Sequence, residues 1–178
     1  MTAAQKNLLA LFLTTPLGRV TVLEERGAIT ALKWGHVERG HETPLLRQAC
    51  HMLERYFAGE REEFDLPLAP AGTGFERRVW AALRTIAYGQ TRTYGAIGRL
   101  AGGSPRAVGQ AAGRNPIPII IPCHRVVAAG DLGGFSAPGG IAAKRALLAL
   151  EGHVFEEDLF GATGGDVGAD LMKGEARA

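Results

Sequence analysis

Residues 60–74, EREEFDLPLAPAGTG, limit the fold of this chain more than any other stretch. They are acidic, then rich in Pro, Ala and Gly, so no regular element is expected to run through them. The stretch reads as a linker. It ends in Thr73-Gly-Phe-Glu76, a capping box in which a hydroxyl and a carboxylate each satisfy a free N–H at a helix start. The 178 residues therefore divide into a unit over 1–68 and a second over 69–155. Residues 156–178 have scattered acids and few large apolar groups, and read as a loosely ordered acidic tail.

The first unit reads as a small sheet with one helix. Residues 8–14, 19–24 and 28–34 have strand character, and Pro16-Leu17-Gly18 and Arg26-Gly27 supply the turns. Thr43-Pro44 is an N-cap followed by Pro at the first helical position. Leu46, Cys50, Leu53 and Phe57 then fall on one face of a helix that stops near Gly59. On that face Cys50 is a core thiol. Cys50, His41 and His51 match no strong metal-ligand spacing, so no metal is expected. The fold class is mixed α/β, of the α+β kind: a small antiparallel sheet with a helix, followed by a mostly helical unit.

Charge is unevenly placed. Residues 75–155 carry 10 Lys/Arg against 3 Asp/Glu, and nine of those ten cations are Arg. Such a segment suits a phosphate-facing surface, although a solvated basic face would look the same. No apolar run approaches the roughly 20 residues of a membrane span. No signal peptide is visible, and the two cysteines form no C-x-x-C pair. The expectation is a cytoplasmic protein with reduced thiols, and a monomer by default.

Within the basic segment, Thr73 starts a helix that buries Val79, Trp80, Leu83 and Ile86. Thr93 then caps a short helix carrying Tyr94, Ile97 and Leu100, which Gly102-Gly103 breaks. Ser104-Pro105 starts a second short helix, Arg106 to Ala112, ended by Gly113. Two short helices joined by a tight Gly-containing turn form a helix-turn-helix. The second is built from small residues, Ala107, Gly109, Ala111 and Ala112. A helix without bulk can approach a narrow surface such as the DNA minor groove, with Arg106 as the one long side chain at its start. A tightly packed internal helix would read identically.

Next comes Asn115-Pro-Ile-Pro-Ile-Ile-Ile-Pro-Cys-His-Arg-Val-Val. An apolar run delivers Cys123 to a point where the chain must leave the core. His124 is adjacent, and a His beside a Cys is the usual means of raising the thiolate population. Asn115 before Pro can fold its side chain back on the backbone in an Asx-type turn. A helix over 140–150 runs into Glu151. A carboxylate at a helix C-terminus opposes the macrodipole, so its placement there suggests a task such as orienting an imidazole. These residues describe a Cys–His–Glu nucleophile beside a basic helix pair. Hydrolases also use Cys–His pairs, so the class of chemistry stays open on this ground alone.

The motifs resemble the O6-alkylguanine-DNA alkyltransferase family. The resemblance is carried by FERRVWAALRTIAYGQTRTYGAI, by RAVGQAAGRNPIPIIIPCHRVV, and by the Gly-Gly-Phe, Lys144 and LLALEGH pattern that follows. It covers about residues 75–153, while residues 1–68 share only the layout. The resemblance implies a single-turnover DNA-repair methyltransferase. Cys123 would accept the alkyl group from O6-alkylguanine, and by extension from O4-alkylthymine, with no cofactor. It implies that His124, through a water, and Glu151 generate the thiolate, and that Asn115 shapes the turn presenting it. Tyr94 would protonate the departing guanine. Arg106, Ala107, Gly109 and Arg114 would face double-stranded DNA from the minor groove, with Arg106 filling the gap left by the flipped nucleotide. Tyr94, Pro118, Val126, Phe135, Ser136 and Ala137 would line the substrate pocket. The connection from Tyr94 to Arg106 is shorter, and the Phe135–Gly140 loop longer, than that pattern has. The rival reading is a sensor that binds alkylguanine without transfer; Cys123 stands against it, because such relatives lack the acceptor.

Overall fold

The computed structural model describes residues 8–35, 40–61 and 63–155. The acidic stretch 156–178 lies outside them. Three antiparallel strands, β1 (Leu9–Thr15), β2 (Gly18–Glu25) and β3 (Ala28–Trp34), pair in sequence order. Their bounds match the alternation of the sequence to within a residue. One face packs on α1 (Pro44–Phe57), whose N-cap is Thr43 and whose buried face carries Leu46, Ala49, Cys50, Leu53 and Tyr56.

The second unit comprises α2 (Gly74–Arg84), β4 (Arg92–Thr93), α3 (Tyr94–Ala101), α4 (Pro105–Gly113), β5 (Val126–Val127) and α5 (Gly140–Leu150). The capping box at α2 is present in full: Thr73 and Glu76 each satisfy the other's backbone N–H. Such a cap stabilises a helix by about 1 kcal/mol. Helices α3 and α4 are joined by only Gly102-Gly103-Ser104. Two glycines permit this turn. Gly102 closes α3 in the left-handed region at φ 74°, and a Cβ on Gly98 would stand 2.5 Å from the Gly103 carbonyl oxygen. Trp80, buried on α2, donates its indole N–H to the Ala111 carbonyl at 2.8 Å and ties α4 down.

Two features differ from the sequence reading. The linker is not free of pairing: Ile29 N–H donates to the Pro67 carbonyl at 2.8 Å, and Ala69 N–H to the Ile29 carbonyl at 2.9 Å. The Pro-rich stretch thus covers part of the outer edge of β3, where a strand's unpaired groups would otherwise remain. The second feature is the parallel pair β4–β5, too short to announce itself by alternation. It sets Thr93, the cap of α3, beside Val127, and so brings the start of α3 next to the chain leaving Cys123.

Candidate active site

Asn115 builds the platform. Its side-chain amide donates to the Ile121 carbonyl at 2.7 Å and its oxygen accepts from Ile117 N–H at 3.0 Å, forming the expected Asx-type turn. The loop between these anchors holds Ile119 at φ 73°. A β-branched residue there costs on the order of 1–3 kcal/mol, a strain that the fully determined surroundings sustain. Sequence alone gives no sign of it. Pro122 then leads into a single 3₁₀ turn, Cys123–Arg125, with all three residues buried. Cys123 is 8% exposed.

Cys123 borders two cavities. The first, about 530 Å³, is also lined by Tyr94, Gly109, Gly113, Phe135 and Ser136. The second, about 390 Å³, is lined by Pro118, Asn115, Ala137 and the β3 residues Ala31 and Trp34 among others. The residues expected in one pocket are therefore shared between two, and Val126 borders neither. Its carbonyl instead accepts from Lys144 at 2.6 Å. Tyr94 is half-buried, with its hydroxyl 3.5 Å from the Gly134 carbonyl.

The resting thiol is pushed up by burial. The Asn115 amide, nearby backbone N–H groups and the Lys144 ammonium oppose that push and favour the thiolate. Lys144 enters the sequence reading only as part of the family pattern, with no place among the site residues. It is fully buried on α5 and donates to three carbonyls: Val126, Leu132 at 2.5 Å and Gly134 at 3.2 Å. It therefore staples the chain after Cys123 to the loop that borders the first cavity. Burial lowers its pKa to about 8, with the charges of Cys123 and Asp131 pulling the other way.

Glu151 is a hub and not merely a guide for His124. Its Oε1 accepts from the Tyr56 hydroxyl at 2.8 Å and lies 2.7 Å from His124 Nε2. Arg125 grips both carboxylate oxygens through Nε and Nη2, at 2.8–3.1 Å. Gly89 N–H adds a bond to Oε2 at 3.1 Å. Opposing the helix dipole costs at most about 2 kcal/mol at a buried position. Each charge-assisted bond contributes roughly 1.5–3 kcal/mol, so the bonds win. Burial pushes the Glu151 carboxyl up, but the hydrogen bond from His124, with the hydrogen bonds and the guanidinium charge of Arg125, outweighs it and holds it at about 2.

An ionised Glu151 assigns the histidine's protons. Nε2 must carry the hydrogen given to the carboxylate, which leaves Nδ1 with its lone pair. Burial lowers the His124 pKa despite Glu151, so the ring is neutral. His124 Nδ1 is the one buried side-chain nitrogen or oxygen without a hydrogen-bond partner among the described residues. It is a free acceptor, and no direct bond joins it to the Cys123 sulfur.

The DNA-facing candidates sit apart from this cluster. Arg106 is exposed at the start of α4, Ala107 and Gly109 are half-buried, and α4 buries Val108, Ala111 and Ala112 on its other face. One face of the small-residue helix is therefore packed inside, and the other is left open. Arg114 is 70% exposed on its side chain but pairs with Glu76 at 3.1 Å. Two of the ten cations in the basic segment, Arg125 and Lys144, are internal, as are two of its three acids, Glu76 and Glu151. What remains outside is more one-sided than the totals: Arg77, Arg78, Arg84, Arg92, Arg99, Arg106 and Arg114 are exposed, against Asp131.

Comparison with known proteins agrees with this chemistry. Residues 74–153 match the family described as 6-O-methylguanine DNA methyltransferase, DNA binding domain, and residues 8–70 match its ribonuclease-like domain. A methylated-DNA–protein-cysteine methyltransferase of Mycobacterium tuberculosis is 47% identical over 147 residues, which span 77% of this chain and 88% of that one. The constitutive enzyme of that name from Bacillus subtilis is 46% identical over 127 residues, 64% of this chain and 76% of the relative. The crystal structure of Mycobacterium tuberculosis OGT in complex with DNA superposes with a TM-score of 0.70 at 44% identity, covering 79% of this chain and 90% of the other. With a buried cysteine beside a neutral imidazole and an arginine-clamped carboxylate, this chain belongs to the methylated-DNA–protein-cysteine methyltransferase family.

Proposed function

We propose that this protein repairs O6-alkylguanine in double-stranded DNA by moving the alkyl group irreversibly to Cys123. The observation that carries the reading is the ordered set Cys123, His124 and Glu151, in which the only unfilled acceptor is His124 Nδ1. A water between Sγ and Nδ1 would take the thiol proton to the imidazole. Arg125 keeps Glu151 anionic, so the resulting imidazolium is stabilised in place. The thiolate attacks the alkyl carbon in line, an S–C bond forms, the C–O6 bond breaks, and its electron pair stays on the guanine oxygen. Tyr94, half-buried at the rim of the first cavity, donates a proton to the leaving base. The product is a thioether with no good leaving group, so each molecule acts once.

The alkylated base must leave the duplex, because O6 lies on the paired edge. The exposed arginines and the open face of α4 suit minor-groove approach, with Arg106 entering the gap. The first cavity then holds the flipped guanine. The two matched segments correspond to two units meeting near residues 68–74, and the protein acts as a monomer in the reducing cytoplasm. Among the described residues no helix is long and apolar enough to cross a membrane.

The test is stoichiometric. Incubation with an oligonucleotide containing O6-methylguanine should add one methyl group per chain, on the peptide carrying Cys123, and then stop. Repeated turnover, methylation elsewhere, or tight binding with no mass gain would overturn the reading, the last in favour of a sensor.

A further inference from the structure

Glu151 takes one of its donors from the first unit of the chain. Tyr56 lies on α1, 95 positions away, and is fully buried. Its ring is held by Phe57, Phe64 and Tyr88, with ring centroids 5.3, 5.8 and 6.1 Å away. Its hydroxyl donates to Glu151 Oε1 at 2.8 Å. It also stands 3.4 Å from His124 Nε2, but that nitrogen carries the hydrogen given to the carboxylate, so the hydroxyl finds no acceptor there. Burial, and then the Glu151 charge, push the Tyr56 pKa far up, so the hydroxyl keeps its proton and stays a donor.

Oε1 is oversubscribed. A carboxylate oxygen offers about two lone-pair positions. Four donor atoms converge on this one: His124 Nε2 at 2.7 Å, the Tyr56 hydroxyl at 2.8 Å, and Arg125 Nη2 and Nε at 3.0 and 3.1 Å. Arg125 and the Gly89 N–H already fix the carboxylate in place through Oε2 as well. What Tyr56 adds is competition with His124 for the electrons of one oxygen. An imidazolium is stabilised by the charge its neighbour presents to it, and a further donor on that oxygen draws part of the charge away. We propose that Tyr56 is a positioning residue of the thiol relay, acting through Glu151: its hydroxyl moderates the pull of the carboxylate on His124, and so sets how readily the imidazole takes the Cys123 proton. This inference rests on the relay of the proposed function. The other charged or titratable groups around the pair are Cys123 and Arg125 in the same turn, Tyr88 ahead of β4, and Lys144 on α5. None of them brings a second hydroxyl to the carboxylate, since Tyr88 donates to the Leu150 carbonyl and Lys144 to three other carbonyls.

The test follows alkylation of the Cys123 peptide by iodoacetamide against pH, in the full chain and without DNA. Tyr56→Phe keeps the ring and removes the donor. It should move the rise in reactivity toward acid by about half a pH unit or more, because the unshared carboxylate makes His124 a stronger base. Opening of the fold would also shift the curve toward acid, since burial pushes the resting thiol up. A second substitution therefore carries the opposite sign. Replacing Tyr56 by 3-fluorotyrosine gives a stronger donor of nearly the same shape and should move the rise toward alkaline pH, whereas loosened packing would move both variants the same way. Opposite shifts support the assignment, and any other pattern overturns it. Should Tyr56→Phe not fold, the sign of the 3-fluorotyrosine shift alone decides. Failure of the unaltered protein to take a methyl group from O6-methylguanine in duplex DNA would overturn the proposed function instead.

Discussion

Glu151→Gln removes one charge and leaves the size and shape of the side chain nearly intact. The carboxyl it replaces sits at about 2, against an ordinary value of 4.5, with no exposed surface on its side chain and only 8% on that of Arg125. At ~1.4 kcal/mol for each tenfold change in proton affinity, the ionised carboxylate contributes roughly 3 kcal/mol to folding. An independent route agrees: removing one partner of a buried ion pair costs about 3–5 kcal/mol, because the other charge is left uncompensated. Loss of about 3 kcal/mol should lower Tm by roughly 6–12 °C for a protein of this size. The pH dependence carries a definite sign. The folded-state pKa is depressed, so the contribution is complete above about pH 4.5 and is lost as the pH falls toward about 2. Urea denaturation of both proteins across that range should show a gap that is full near neutrality and closes in acid. Adding Arg125→Met to Glu151→Gln should cost at least ~1 kcal/mol less than the two single losses combined. A gap below about 1 kcal/mol at neutral pH, or one that fails to narrow in acid, would refute the hub role of this carboxylate.

Three further outcomes follow from the same geometry. Arg106→Ala should slow repair of duplex DNA by roughly ten-fold or more, a flipped base being costly by a few kcal/mol to hold out of the stack; it should affect transfer from free O6-benzylguanine much less, and equal losses on both would remove Arg106 from the base stack. Tyr56→Phe should destabilise the protein by about 1.5–3 kcal/mol through the lost bond to Glu151; denaturation in the Glu151→Gln background should show a smaller cost, and an equal one would assign the effect to packing. Cys50→Ser should still accept one methyl group per chain by intact mass, because burial and the neighbouring Glu54 push the Cys50 thiol up to about 12; loss of methyl acceptance in a folded variant would contradict this.

Local patterns made most of the fold legible. Thr43, Thr73, Thr93 and Ser104 each cap the helix that the sequence predicts for them, because capping needs only a hydroxyl and three following residues. The Asx turn at Asn115 is equally local. Tyr56 and Arg125 were not legible as site residues. Tyr56 has the spacing of an ordinary core position on α1, and only docking of the two units brings it to Glu151, 95 positions away. Arg125 and Lys144 counted toward a basic surface, since composition cannot tell a buried cation from an exposed one. The wall that β3 gives the second cavity was hidden for a similar reason: an edge strand's outer neighbour is a matter of topology, which alternation does not encode.

The bond between Tyr56 and Glu151 also ties the site's assembly to the folding of the whole chain. A contact between residues 95 positions apart requires the intervening chain to have closed its loop. Until α1 has docked, the carboxylate lacks the Tyr56 donor and His124 lacks part of its burial, so the proposed relay behind Cys123 is incomplete. For a protein that reacts once, this dependence matters. The contacts that complete the proposed relay and those that wall in Cys123 belong to the same docked arrangement, so assistance to the thiol and restricted access to it arise together.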